Sequence, residues 1–536
     1  VTSRFVAALF CAFAAGPAAA QEPVTVKIAA INDFHGNLRP PVERVMADGG
    51  RIAAGGMAQL ATVVERLRAA SRHFAFVSAG DLIGASPLLA SWFEDEPVIE
   101  GMNLMGLDFN GVGNHEFDRG VAHLQRLQDG GCPRDGCKSG LPFAGARFRM
   151  LAANVIERAS GKPLLPPYGI REFGGVKVAF IGLTLRGTPF VTSARALPGI
   201  EFRDEADTVN ALVPELKAQG VAAIVVLLHQ GGSTTGGPNE CADFRGPVLN
   251  IVARLDKAVD AVLSAHTHQA YVCRVEGKLV TSAGASGRFV TEIDLTVDPR
   301  RGVAAATAVN HAVTPDTPEH AAQAALIARY AKLAVPLERV VGRLAAPVSR
   351  RNNADGESAM GQLVADAHLA ATAAAGATIA FMNPGGVRAS LDAKGDGNVT
   401  YADLFAVYPF ANRLVTMTLT GAQILRVLER YLETVEVGTL QVSRGFSYAW
   451  NPALPAGRRV VQDSVTLNGK PLQPAAAYRV TVNSFLADGG DRLAVLREGR
   501  ERTTGPAALD ALVRYLEERS PVAPAQERRV RNVGDQ

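Results

Sequence analysis

The sequence predicts an α/β protein of two large domains, and three observations predict it. The chain has 536 residues, more than one hydrophobic core sustains, so two to four domains are allowed and two are expected. Short β-rich apolar runs alternate with amphipathic helical patterns through the first half. Four of those apolar runs stop at Asp or His, which would line ligand-type side chains along one sheet edge, where crevices of open α/β folds form sites. With 47% apolar and 20% charged residues the composition is globular. A net charge of +3 predicts no polyanion-binding surface, and no apolar run after the first twenty positions is long enough to span a bilayer.

Residues 1–20 read as an export signal: Arg4, an apolar stretch from Phe5 to Ala15, then Ala18-Ala19-Ala20 before Gln21. Removing them takes away Arg4 and leaves a charge of +2. The first strand follows from Val24 and runs into Asn32-Asp33-Phe34-His35-Gly36. Because strand side chains alternate, Asp33 and His35, two apart, can serve one ion. Gly56 to Leu67 has helical periodicity. The run Phe74–Ala79 then leads to Gly80-Asp81, Ala222–Leu228 to His229, and Ala261–Ala265 to His266-Thr267-His268. A lone histidine is usually a satisfied core residue. Five of the ten in the chain, His35, His115, His229, His266 and His268, stand at such positions, which packing alone does not explain. Further strands at Val176–Gly182 and Arg288–Leu295 extend this domain to about residue 312.

The densest stretch is Gly113-Asn114-His115-Glu116-Phe117-Asp118. Asn114 can offer a neutral oxygen to a cation, His115 can donate a proton to a leaving oxygen, and Asp118 can fix the imidazole's tautomer. Oxygen ligands mixed with imidazoles and no thiolate suit zinc, manganese, iron or cobalt. Seven or eight candidate ligands are too many for one tetrahedral ion. Two ions about 3.5–4 Å apart, sharing Asp81, would use them all and clamp both oxygens of a phosphoryl transfer.

Four cysteines lie beyond the export signal, an even number in an oxidising setting. Cys132 and Cys137 bracket a Pro-Arg-Asp-Gly turn and can staple it, leaving Cys241 with Cys273; a zinc site at the first pair is the alternative. Pro315–Glu319 reads as a helix start, with Ala-rich sequence to Lys332 and Pro336 closing an interdomain helix. A second α/β domain then opens with a helix at Ser358–Asp366 and a strand at Ala377–Asn383, and holds no further Asp/His ligand set.

Asp33-x-His35, Gly80-Asp81, Gly113-Asn114-His115-Glu116, His229 and His266-x-His268 resemble the five blocks of calcineurin-like metallophosphoesterases. Asn383-Pro384-Gly385-Gly386-Val387-Arg388, Tyr408–Asn412, Asn483-Ser484-Phe485 and Asp488–Asp491 resemble the C-terminal domain of the 5′-nucleotidase and UDP-sugar hydrolase family. The resemblance runs from about residue 24 to 525. It implies an N-terminal β-sandwich flanked by helices (α-β-β-α) over 21–312, a linker helix over 313–337 and a nucleotide-specificity domain over 338–530. It implies one metal site of Asp33, His35, Asp81 and His268 and a second of Asp81, Asn114, His229 and His266. It makes His115 and Asp118 a dyad stabilising the phosphoryl group, Arg388 a phosphate contact, Phe410 and Phe485 a nucleobase clamp, and Asn412 and Asp491 base and ribose contacts. By residue type alone, two Phe in separate loops are more often core residues.

Three positions depart from the family pattern. His268 stands where the nucleotidases carry Gln or Asn, the second phosphate-binding arginine is missing at its usual spacing before Ser358, and Pro384 replaces a glycine. Arg350 or Arg351 can substitute for the missing arginine. With the export signal at 1–20, the resemblance implies an exported, periplasmic or secreted 5′-nucleotidase without a membrane anchor. It would use two divalent ions (zinc, manganese or cobalt) on a small nucleotide, not on a nucleic-acid polymer. Rival activities on the same fold are a 2′,3′-cyclic-nucleotide phosphodiesterase, a UDP-sugar or NAD pyrophosphatase, and a thiosulfate-processing hydrolase, which the Phe pair disfavours. A nucleotide-binding surface protein without turnover is the non-enzymatic rival. Sequence does not set the preferred nucleotide or the oligomeric state.

Overall fold

The computed structural model describes residues 22–41, 44–47, 50–133, 136–193, 196–334, 338–392, 395–434 and 438–534. The export signal at 1–20, Arg134 and Asp135 of the cysteine-bracketed turn, and Pro336 lie outside them.

Two six-stranded sheets face each other in the N-terminal half. The first has the order Gly302–Ala312, Phe289–Asp298, Val24–Ile31, Phe74–Ser78, Phe109–Gly111, Arg149–Leu151. The second has the order Ala270–Val275, Lys278–Ala283, Ala261–Ser264, Val221–Leu228, Val176–Leu183, Tyr168–Phe173. Alternation in Val24–Ile31 explains the layering. Val26, Ile28 and Ala30 face the second sheet, packing with Val178, Phe180 and Val225, while Ala29 and Ile31 face helices on the other side. Helices Met57–Ala69, Glu96–Met105 and Val121–Asp129 cover the first sheet; Glu205–Ala218 and Pro247–Arg254 cover the second. The result is the four-layer α-β-β-α arrangement that the resemblance implies.

The interdomain helix differs from the sequence reading. It spans Ala321–Ala334 and does not begin near 316, because Thr314 to Thr317 close a turn and His320 N–H donates to Ala58 O before the helix starts. Nor does it stand free. Leu326, Tyr330 and Ala334 are buried in the N-terminal core, and Tyr330 packs edge-on against Phe93 at 4.8 Å while its hydroxyl donates to Glu100 at 3.0 Å. An Ala-rich helix with one apolar stripe gains little alone, so its stability comes from docking.

The C-terminal half holds a five-stranded sheet in the order Gln441–Val442, Ile379–Met382, Ala477–Asn483, Arg413–Thr420, Arg500–Ala507, and a four-stranded sheet around Phe446–Trp450. Side-chain caps set the local geometry near the cleft. Ser358 accepts from Gly361 N–H at 3.1 Å to start the helix Ala359–Ala371, Thr400 and Asp403 form a capping box for Tyr401–Val407, and Asn483 accepts from Leu486 N–H at 2.9 Å. Disulfides join Cys132 to Cys137 and Cys241 to Cys273. No helix among the described residues is long and apolar enough to cross a membrane.

Candidate active site

Parallel strands Val24–Ile31, Phe74–Ser78 and Phe109–Gly111 end on one edge of the first sheet, and Val221–Leu228 and Ala261–Ser264 end on the matching edge of the second. The loops beyond those ends meet. His35 Nε2 lies 3.1 Å from His268 Nε2, 3.9 Å from Asp33 Oδ1 and 3.8 Å from Asp81 Oδ2; His268 Nε2 is 3.4 Å from Asp33 Oδ1. His229 Nε2 is 3.0 Å from Asp81 Oδ2, and the His229 and His266 rings are 5.4 Å apart. Asp33, His35 and His268 thus form one ligand-like group and Asp81, His229 and His266 another; Asp81 also groups with His35 and His115. The side chains that sequence reading placed in two sites come together at one edge, Asp81 between them.

The surroundings fit cations. Asn114 Oδ1 is buried without a hydrogen-bond partner among the described residues, and Asp81 Oδ2 and His229 Nε2, equally buried, face only each other at 3.0 Å, a costly arrangement unless another group satisfies them. His35 Nδ1 donates to Gly84 O at 2.9 Å and His229 Nδ1 to Ala79 O at 2.8 Å, which leaves each Nε2 lone pair for a metal. Burial opposes charge on His229, yet Asp81 and Asp33 push its pKa up to about 10, which marks a pocket with excess negative charge. Asp33, His35, Asp81, His266 and His268 all have φ between 46° and 73°. Non-glycine residues pay about 1–3 kcal/mol each for such conformations. That five of them do so in one place shows the loops are held by the rest of the fold.

One holding device is Glu116, which the sequence reading left without a role. Its carboxylate, 1% exposed, accepts backbone N–H from Asp81 at 3.0 Å, Leu82 at 2.8 Å and Gly113 at 2.8 Å. It ties the loop carrying Asp81 to the turn carrying Asn114 and His115. The only sequence signal was its place inside the Asn-His-Glu run. Gly113 is required there for space, since a Cβ would sit 2.2 Å from Asp81 Oδ1 and 2.7 Å from the His229 ring.

His115 Nδ1 donates to Asp118 Oδ2 at 2.8 Å. Burial works against its charge, but Asp118 and Asp81 outweigh it and raise the imidazole's pKa. The C-terminal half supplies the opposite wall of a cleft of about 1800 Å³ that contains Arg388, Phe410, Asn412, Phe485 and Asp491. The rings of His115 and Phe410 lie 6.3 Å apart and 25° from parallel, across the domain boundary. Ser484 Oγ donates to Asn412 Oδ1 at 3.0 Å, which joins the two Phe-bearing loops. Both Phe rings are half-buried and also pack on their domain's core, so the clamp and core readings are not exclusive. Arg350 lines the cleft and its charge disfavours that of Arg388, after burial the largest influence on it, whereas Arg351 is not part of the lining. On the rim, the Arg492 guanidinium sits 5.1 Å from the Phe190 ring centre, and Thr192 Oγ1 donates to Asn114 O at 3.2 Å. The sequence reading missed this bridge because Phe190 and Arg492 are isolated residues in unrelated segments.

Residues 26–270 match the family described as calcineurin-like phosphoesterase, and residues 340–498 the family described as 5′-nucleotidase, C-terminal domain. The chain is 31% identical to endonuclease YhcR of Bacillus subtilis over 525 residues, which is 96% of this chain but 41% of that protein. It is 28% identical to protein UshA of Yersinia enterocolitica, covering 98% of this chain and 97% of that one. A solved 5′-nucleotidase precursor from Thermus thermophilus superposes with a TM-score of 0.80 at 30% identity, over 95% of this chain and 99% of that one.

Proposed function

Since the chain belongs to the calcineurin-like phosphoesterases that carry a 5′-nucleotidase C-terminal domain, and so is a metal-dependent phosphoesterase, we propose that it hydrolyses nucleoside 5′-monophosphates to nucleoside and phosphate. The observation that carries this reading is the near-parallel approach of Phe410 to His115. An aromatic platform from one domain beside the proton donor of the other suits a substrate with a flat base at one end and a phosphate at the other.

Asp33, His35, Asp81 and His268 would hold one divalent cation, and Asp81, Asn114, His229 and His266 a second. Such a pair supplies Lewis acidity to phosphate oxygens and a water nucleophile active at neutral pH. The chain's own residues do the rest. Arg388, with Arg350 beside it, draws the phosphate dianion into the cleft and orients it. His115, whose charged form Asp118 favours, hydrogen-bonds the phosphoryl oxygens as charge builds on them. Phe410 and Phe485 hold the base from two sides, with Asn412 and Asp491 on its polar edge and the ribose. Stacking tolerates any base, so broad acceptance is expected.

The working domains in this reading are 21–312 and 338–530, which rotate against each other as nucleotide binds and leaves. Two disulfides support an oxidising compartment, periplasmic or extracellular, reached through the segment 1–20. Phosphate release from AMP, GMP, UMP and p-nitrophenyl phosphate by chelated protein resupplied with zinc, manganese or cobalt tests the reading. Release from the small ester alone, with no nucleotide turned over under any metal, would overturn it.

A further inference from the structure

Asn412, which the nucleotidase reading sets against the polar edge of the base, is held at both ends of its side chain. Its Nδ2 donates to the Tyr408 hydroxyl at 3.3 Å, and its Oδ1 accepts from Ser484 Oγ at 3.0 Å. The backbone is pinned as well, since Ala508 N–H donates to Asn412 O at 2.9 Å. The two hydroxyls are themselves firmly mounted. Tyr408 is fully buried, and its ring stands nearly perpendicular to those of His368 and Phe410, 5.9 Å from each. Burial raises the pKa of the phenol, so the hydroxyl stays protonated through the neutral range. The side chain of Asn483 approaches the same hydroxyl; it is anchored by accepting from Leu486 N–H at 2.9 Å and donating to Asn383 Oδ1 at 3.0 Å.

Ser484 sets the polarity of the arrangement. Its Oγ accepts from Arg413 N–H at 3.3 Å, a group that can only donate, and this leaves the hydroxyl proton for Asn412 Oδ1. The Asn412 oxygen therefore faces Ser484 and its nitrogen faces Tyr408. An amide carries two N–H donors and two oxygen lone pairs, and one of each is spent on the two hydroxyls. Asn412 lines the cleft and is only partly buried, so the second N–H and the second lone pair are offered to the cleft in a fixed order. A free amide turns over to suit either order of donor and acceptor. A pinned one does not.

We propose that the Tyr408 and Ser484 hydroxyls determine purine specificity by pinning the Asn412 amide, so that the cleft separates 6-amino from 6-oxo purine nucleotides. This rests on the nucleotidase reading above, because Asn412 meets a base only where a nucleoside lies between Phe410 and Phe485. Stacking on the two rings is blind to ring substituents, and the amide adds selectivity within that broad acceptance. Adenine presents an acceptor at N1 beside a donor at N6. Hypoxanthine presents a donor at N1 beside an acceptor at O6. The two edges carry opposite patterns, so an amide of fixed order satisfies one and leaves the other with donor facing donor and acceptor facing acceptor. Tyr408 and Ser484 touch no reacting atom; they are positioning residues that act through Asn412.

The test compares kcat/KM for AMP, IMP and p-nitrophenyl phosphate in wild type, Tyr408→Phe, Ser484→Ala, Ser484→Thr and the double variant Tyr408→Phe with Ser484→Ala, with melting curves for each. Calorimetric titration with adenosine and inosine reads the same selectivity without turnover. Wild type should prefer one of AMP and IMP roughly ten- to hundredfold, the scale of a mismatched hydrogen-bonding pair. That preference should shrink in Tyr408→Phe and in Ser484→Ala, disappear in the double variant, and return in Ser484→Thr, which restores the hydroxyl. The ratio of adenosine to inosine Kd should follow the same order. A wild type that treats the two purines alike, or a preference that survives removal of both hydroxyls, overturns the pinned amide. Where the double variant does not fold, an unchanged ratio in both single variants overturns it. If p-nitrophenyl phosphate alone is hydrolysed while the nucleoside Kd ratio follows the two hydroxyls, the nucleotidase reading fails and the pinned amide stands.

Discussion

Asp491→Asn should stabilise the protein above pH 6 while weakening its hold on nucleotide. Burial pushes the Asp491 carboxyl up to about 6 from an ordinary 3.8, against the opposing hydrogen bond from Asn383. The folded state therefore holds this proton more tightly than the unfolded chain. Stability falls as pH rises from about 4 to 6, and the whole cost is present above 6. Two pH units correspond to at most about 3 kcal/mol, and discounting for the partial exposure of the residue leaves roughly 1–2 kcal/mol. An amide avoids that charge, still accepts from Asn383, and tolerates the φ of 51° at this position as well as aspartate does. For a domain of this size the gain amounts to about 2–8 °C in melting temperature at pH 7.5, shrinking towards zero near pH 4. The same change removes a carboxylate acceptor from the nucleoside pocket, so KM for AMP should rise several-fold while p-nitrophenyl phosphate hydrolysis changes little. Differential scanning calorimetry at pH 4.5 and 7.5, with steady-state kinetics on both esters, reads all of this. A variant that melts no higher than wild type at pH 7.5, or gains equally at both pH values, would refute the buried-carboxylate reasoning.

Asp81→Ala should abolish turnover and lower bound metal, because it removes the carboxylate that stands between both ligand groups; full metal content at normal rate, by elemental analysis and kinetics, would contradict the two-ion arrangement. His115→Ala should keep its metal and lose ~10²–10⁴ in kcat, the scale of a positioned acid; a parallel loss of metal would make His115 a ligand. Phe485→Ala should cost ~1–3 kcal/mol of stacking, about one to two decades in kcat/KM for AMP. Because the ring also packs on the core, its melting point should drop too; equal losses on AMP and p-nitrophenyl phosphate would return Phe485 to a purely structural role. Glu116→Gln keeps the shape of the carboxylate but leaves at least one of three backbone N–H donors facing an amide. Metal affinity in chelator competition should fall about tenfold or more; unchanged affinity would deny Glu116 a part in setting Asp81.

What the sequence determined by itself was everything that depends on short range. A β-rich apolar run that ends in Asp-x-His or His-x-His declares both the strand and the chemistry at its end, because strand alternation and chain direction are local properties. Asp33, His35, Asp81, His229, His266 and His268 were legible for that reason, as were the alternation of strands and helices and the close pair Cys132 and Cys137. The tertiary structure decided what depends on distant segments. No spacing announces that five candidate ligand residues must adopt left-handed backbone, that Glu116 gathers three N–H groups from two loops, or that the helix Ala321–Ala334 docks on the N-terminal core. Choosing Arg350 over Arg351 as the cleft arginine likewise required the C-terminal half to be packed against the loops that carry Asp81 and His115. The approach of Phe410 to His115, nearly three hundred residues apart in sequence, is set by how two separately folded domains pack, and packing is a property of surfaces that the linear pattern does not encode.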